Sequence, residues 1–193
     1  MGFSVFAGLE FIVDERALVP RSPFVQLIDC GFAPWVDIYK VRTVLDLCTG
    51  SGCIGLALAH YFDHCHVDLS DLSETALSLA EENQQNLQLQ NRTELVHSDL
   101  FQNLEQKYDL IITNPPYVDE KEYQGLPEEF IHEPKMALVS ERQGLEIPVN
   151  ILAQAADYLT DSGYLFLEVG FYDQALSEAL PEVDFVWIDF SDD

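Results

Sequence analysis

Positive charge is what this 193-residue sequence has least of: nine Lys and Arg stand against 34 Asp and Glu, for a formal net charge of −25. A field of that sign repels nucleic-acid phosphates at moderate ionic strength, which argues against a DNA-binding surface and favours a basic protein partner. The same acids can also do no more than solvate the surface. The four cysteines, Cys30, Cys48, Cys53 and Cys65, form no C-x-x-C pair, so reduced thiols are expected rather than a disulfide framework. No apolar run reaches the roughly 18 to 20 residues that span a bilayer. The start, Met1-Gly2-Phe3-Ser4-Val5-Phe6, has neither a basic segment before a signal-like core nor the Ser or Thr that a myristoylation signal places at position 6. A cytoplasmic protein with no membrane contact is the expectation. His60, His64 and His66 with Cys65 straddle a helix end and a strand start, and no metal is expected there.

What the sequence has is enough apolar content, 48%, to bury a substantial core in one globular unit. Leu9 to Val19 reads as two short strands around Asp14-Glu15-Arg16, and Ser22 can cap a helix with Pro23 at its first position and Phe24, Leu27 and Ile28 on one face. Strands and helices then alternate: strands at Val44–Leu47, Val67–Leu69, Glu94–His97, Tyr108–Ile112, Gly163–Val169 and Phe185–Phe190, and helices at Cys53–Phe62, Ser73–Leu89, Ile147–Leu159 and Gln174–Leu180. That pattern implies a three-layer α/β fold, a mostly parallel sheet covered on both faces, preceded by a short β-hairpin and helix. The natural division is residues 1–40 for the hairpin and helix and 41–193 for the sheet.

Ligands of such sheets lie beyond the carboxyl ends of the strands, and four segments fall there: Cys48-Thr49-Gly50-Ser51-Gly52, Asp71, Asp99-Leu100 and Asn114-Pro115-Pro116-Tyr117. Gly50 and Gly52 allow close approach of a ligand and present backbone N–H groups at a helix start, where a carboxylate or phosphate fits. Asp71 follows Gly52 by 19 positions, near the distance at which an acid accepts hydrogen bonds from ribose hydroxyls. Glycines also occur wherever a strand turns sharply into a helix, and Asp71 can equally cap the helix ahead of Ser73. The loop lacks the lysine of a nucleotide-phosphate site and the third glycine of the dinucleotide fingerprint. S-adenosylmethionine suits it better, with its carboxylate at the helix start, its ribose at Asp71 and its adenine beside Asp99 and Leu100. Two consecutive prolines remove N–H donors, so the loop after Ile112 offers carbonyl acceptors beside an amide and a phenol, a setting for an NH2 group. A rigid turn with an exposed tyrosine would read the same way.

In this order and spacing, Val44 to Gly52, Asp71, Ser98-Asp99-Leu100-Phe101 and Asn114-Pro115-Pro116-Tyr117-Val118-Asp119 resemble the class I, Rossmann-like methyltransferases that modify the side-chain amide of glutamine. Leu18-Val19-Pro20-Arg21-Ser22-Pro23, Cys48 to Cys53, His132-Glu133-Pro134 and Glu168-Val169-Gly170 are most similar to the branch acting on the third large-subunit ribosomal protein. The branch acting on peptide chain release factors tends to read Pro-Arg-Pro-Glu at the first of these places. The resemblance implies a catalytic set of Asn114, Pro115 and Tyr117. Cofactor contacts would come from Cys48, Thr49, Gly50, Ser51, Gly52, Asp71, Asp99, Leu100 and Asn114, and substrate contacts from Asn114, Pro115, Pro116 and Tyr117. The Asn114 side-chain oxygen and the Pro115 carbonyl would accept the two amide hydrogens, with Tyr117 packed on the amide. It also places Arg21 and Ser22 near the methionyl end of the cofactor, where a cap and a surface cation are the plainer account.

Members of that family carry a helical domain before the hairpin and a further strand after Phe185–Phe190, so a chain ending at Ser191-Asp192-Asp193 is expected to be truncated, with weakened or absent activity. Three other readings stand beside the ribosomal-protein methyltransferase: a release-factor methyltransferase, a DNA adenine methyltransferase, which the charge disfavours, and a non-catalytic protein that binds a cofactor or partner.

Overall fold

The computed structural model describes residues 2–125, 134–141 and 144–190. Strand β1 (Gly2–Phe6) pairs antiparallel with β2 (Leu9–Val13). The hairpin therefore precedes the one anticipated at Leu9 to Val19. Its loop is Ala7-Gly8, with φ of 48° and 75°, and positive φ at both central residues gives the twist that a two-residue hairpin needs. Asp14-Glu15-Arg16 is instead a turn closed by a side chain: Arg16 Nε and Nη2 donate to the two Asp14 carboxylate oxygens at 2.9 and 2.8 Å. Helix α1 (Phe24–Asp29) buries Phe24, Leu27 and Ile28 as the spacing predicts.

The main sheet comprises β3 (Thr43–Leu47), β4 (His66–Asp71), β5 (Thr93–His97), β6 (Tyr108–Thr113) and β7 (Leu159–Leu167). Its order is β5-β4-β3-β6-β7, with every pairing parallel. Helices α2 (Cys53–Tyr61) and α3 (Glu74–Asn86) link the strands on one side of β3. Short helices α4 (Glu120–Tyr123) and α5 (Lys135–Leu138), then α6 (Glu146–Tyr158), lie between β6 and β7, and α7 (Asp173–Ala179) follows β7. A 3-10 turn at Ile38–Lys40 leads into β3.

Alternation along the strands builds two cores. Val44, Val67, Leu69, Leu110 and Ile112 pack with α1, α2 and the hairpin's Phe6 and Phe11. Leu45, Leu47 and Ile111 face the opposite way, onto Phe101 and onto Ile151 and Ala155 of α6. Each fully buried Leu or Ile contributes about 1.5 to 3 kcal/mol relative to exposure. Helix α2 is buried at every position from Cys53 to Ala59, which an amphipathic surface helix could not be. Ser73 caps α3, accepting the Ala76 N–H at 3.2 Å.

Two further differences from the sequence reading stand out. β7 begins at Leu159 rather than Gly163. The apolar alternation at Phe185–Phe190 forms no strand: Ile188 and Phe190 pack against the first core, Phe185 stacks on Trp187 with ring centroids 5.0 Å apart, and no ladder runs through them. A strand exists only through its hydrogen-bonded neighbour, and this segment pairs with none of the described strands, β7 at the sheet edge included.

Candidate functional site

The strand order reverses between β3 and β6, so the crevice of the sheet opens at the carboxyl ends of those two strands. A cavity of about 240 Å³ lies there. Its wall contains Cys48, Thr49, Gly50, Ser51, Asp71, Asp99, Leu100, Asn114 and Pro116 together with Arg21 and Ser22. Segments separated by up to 134 positions thus meet on one rim (Arg16 to Asn150). Gly52, Pro115 and Tyr117 are not part of the lining. Leu18, Val19 and Pro20 complete one side, and Met136, Ile147 and Asn150 another. The last three carry no local motif. They reach the rim because the α5 and α6 region folds back over it.

Asp71 braces the glycine loop. Its Oδ2 accepts the Gly50 N–H at 2.8 Å and its Oδ1 the Ser73 N–H at 2.9 Å. The Gly52 N–H is bonded to the Thr49 carbonyl at 2.9 Å. The N–H groups of Gly50 and Gly52 are therefore engaged within the protein, and neither is held out for a carboxylate as the glycine pattern suggested. Asp71 lines the cavity, and a carboxylate oxygen can accept from more than one donor. Burial pushes the Asp71 carboxyl upward, opposed by these backbone donors. One strand position away from the rim, Asp46 ties three elements together: its Oδ2 accepts Thr49 Oγ1–H at 2.6 Å and the Gly55 N–H at 2.8 Å. Complete burial pushes the Asp46 carboxyl up to about 7.

The Asn114-Pro115-Pro116-Tyr117 loop leaves β6 immediately after Thr113, whose hydroxyl donates to the Leu47 carbonyl at 2.6 Å. Among the described residues the Asn114 carboxamide has no hydrogen-bond partner, which leaves both its oxygen and its NH2 available. Tyr117 is held from three directions. Its hydroxyl donates to Glu168 Oε1 at 3.3 Å, its ring lies 6.2 Å from the Tyr172 ring, and its carbonyl is approached by Gly144. A Cβ on Gly144 would sit 2.1 Å from that carbonyl oxygen, and φ there is +82°. The following residue, Val118, is pinned through Leu138 O (2.8 Å) and Ser140 N (3.0 Å).

Glu168, at the end of β7, is shared between Tyr117 and Ser22, whose Oγ–H donates to Oε2 at 2.6 Å. Ser22 also accepts the Phe24 N–H at 3.2 Å, so it serves the helix start and the site together. Burial raises the Glu168 carboxyl, and burial with the adjacent Glu168 charge raises the Tyr117 phenol. His132 and Glu133 of the motif noted above lie outside the described residues, as do Ser191, Asp192 and Asp193.

The family model described as the methyltransferase small domain matches residues 32–144. The chain belongs to that family. Among its relatives, the ribosomal protein uL3 glutamine methyltransferase of Francisella tularensis is 46% identical over 189 residues, 97% of this chain and 60% of the relative. That of Xylella fastidiosa strain Temecula1 is 49% identical over 190 residues, 98% and 61% of the two chains. This methyltransferase small domain protein thus spans about three-fifths of the length of the relatives it matches. The solved hMettl16 catalytic domain superposes with a TM-score of 0.70 at 18% identity, covering 91% of this chain and 67% of that one. A ribosomal protein L11 methylase from Lactobacillus delbrueckii subsp. bulgaricus gives 0.57 at 23%, covering 82% and 67%. These two likenesses establish the Rossmann-like fold of the methyltransferase small domain.

Proposed function

We propose that this protein transfers a methyl group from S-adenosylmethionine to the side-chain amide nitrogen of a glutamine in ribosomal protein uL3, a basic partner in the cytoplasm. The observation that carries the reading is the cavity itself: the glycine loop, Asp71, Asp99-Leu100 and Asn114 line one space, and the Asn114 amide has no partner among the described residues. A sulfonium methyl is the electrophile this cofactor supplies when bound. Cys48 to Ser51, Asp71, Asp99 and Leu100 would hold the cofactor.

An amide nitrogen is a poor nucleophile because its lone pair is delocalised into the carbonyl, so orientation has to do most of the work. The Asn114 oxygen and the Pro115 carbonyl are acceptors suited to the two amide hydrogens, and holding both turns the lone pair toward the methyl group. Alignment of this kind can lower a barrier by about 7 to 11 kcal/mol. Tyr117, held by Glu168, would act through its ring, favouring the positive charge that develops on nitrogen, a contribution of about 0.5 to 2 kcal/mol. Similarity to uL3 glutamine methyltransferases over 97% of this chain favours that substrate over a release factor or DNA.

The test offers purified protein labelled cofactor with uL3, a release factor and duplex DNA side by side. Label is expected in uL3, on one glutamine by mass spectrometry. Asn114→Ala should cut turnover roughly a hundredfold or more while cofactor affinity stays within about threefold. Label in DNA alone, or full activity of the alanine variant, would remove the proposal.

A further inference from the structure

The amino-terminal side of the sheet, remote from the cavity, gathers a second set of polar groups. Among the described residues His66, Asp68 and Glu94 each bring one possible ligand atom to within 4.8 Å of the others. Their convergence follows from strand geometry. His66 and Asp68 are two apart on β4 and share a face, and Asp68 is the registered partner of Glu94 on β5. The donors that the sequence grouped with His66 go elsewhere: the His64 ring contacts the Ile38 carbonyl at 3.0 Å, and Cys65 Sγ lies 3.5 Å from the Val41 carbonyl.

Asp68 is the informative member. It is only 5% exposed. Its Oδ2 is fully engaged, accepting Tyr108 O–H and Gln106 Nε2–H, both at 2.7 Å. Its Oδ1 is buried with no hydrogen-bond partner among the described residues. A bare carboxylate oxygen in the interior is costly unless something positive meets it. That oxygen lies 3.6 Å from His66 Nε2, while His66 and Glu94 themselves reach solvent.

We propose that His66, Asp68 and Glu94 bind one divalent transition-metal ion, zinc by the chemistry of the donors, and that the ion clips the edge strand β5 to β4. One imidazole with two carboxylates is a borderline set that selects zinc, cobalt or manganese over magnesium or calcium. Two ligand atoms each about 2.1 Å from a tetrahedral ion stand about 3.4 Å apart. The separation of 3.6 Å between His66 Nε2 and Asp68 Oδ1 already matches that bite. Glu94, a long exposed side chain, closes the third position, and water completes the fourth. Tyr108 and Gln106 act as the outer hydrogen-bonding layer that orients the aspartate, as such layers do in metal sites. The ion replaces the missing partner of the buried oxygen and anchors a strand that otherwise has one unpaired edge.

Titration of the chelator-treated 193-residue chain with Zn2+ and Co2+ tests this. One ion per chain is expected, with a rise in melting temperature and a Co2+ visible spectrum of tetrahedral intensity, while equal Mg2+ does neither. His66→Ala and Glu94→Gln, both at accessible positions, should each weaken binding about tenfold or more. Asp161→Asn, which removes an exposed acid on β7, should change nothing. Methyl transfer is read separately and does not bear on the outcome. No stoichiometric Zn2+ binding, several weak ions displaced equally by Mg2+, or unchanged binding in the combined His66→Ala and Glu94→Gln variant would each overturn the proposal.

Discussion

Asp46 shows how a single side chain can set the pH response of the fold. Its carboxyl is 1% exposed, one oxygen holds Thr49 and Gly55, and the other has no partner among the described residues. In the unfolded chain an aspartate ionises near pH 4, whereas in the fold this one does so at about 7. Between those values the folded protein keeps a proton that the unfolded chain has released, so stability falls as pH rises across the window and levels off above it. The contribution is fully present below pH 4 and is lost by pH 7, at most about 4 kcal/mol. Asparagine at this position can still accept from Thr49 and Gly55. Asp46→Asn should therefore match the parent near pH 4 and exceed its stability at pH 8, with denaturant unfolding across pH 4 to 8 as the measurement. An unchanged difference between the two proteins over that range would mean the carboxyl is ionised throughout. Asp46 was visible in the sequence as a strand residue, but its burial and its partner Gly55, nine positions on, were not. Asn114 was legible because two prolines beside an amide form a local pattern; that its amide has no partner among the described residues is a property of the packed loop.

At the level of elements, the loop after β6 depends on a segment far along the chain. Val118 bonds to Leu138 and Ser140, and Gly144 packs directly on Tyr117. Gly144→Ala puts a methyl into the Tyr117 carbonyl at a backbone angle of +82° that L residues rarely adopt. The loop must shift to relieve this. Turnover is expected to fall roughly a hundredfold, with the melting temperature lowered by only a few degrees, since the sheet does not depend on this contact. Steady-state kinetics with a thermal melt check both halves. The strands of the sheet were legible from their apolar runs, and α2 and α3 from length and capping. The hairpin was misplaced because its turn depends on positive φ at Ala7 and Gly8, a conformation alanine does not advertise. The expected strand at Phe185–Phe190 failed for a different reason: alternation makes a segment fit to pair, but here Ile188 and Phe190 pack their side chains on the first core and Phe185 stacks on Trp187, and the backbone joins no ladder although β7 is an edge strand.

At the scale of the whole molecule, the charge of −25 bears on how the protein would meet the uL3 substrate proposed above. Attraction between an acidic protein and a basic partner speeds encounter at low salt and is screened within about 8 Å at physiological ionic strength. For full-length uL3, kcat/KM should therefore fall roughly tenfold as salt is raised from low to several hundred millimolar. A short uncharged peptide carrying the same glutamine should show little change. Equal salt dependence for both would place the effect in catalysis instead. The sequence by itself determined the composition, the order of the five sheet strands with α2, α3, α6 and α7, and the motifs at strand ends, because these depend on residues near one another in the chain. Only the tertiary structure decided that β3 and β6 are neighbours, that Glu168 links Ser22 to Tyr117, and that His66, Asp68 and Glu94 share a face. Those relations arise from strand order and register, which bring together side chains that no local pattern connects.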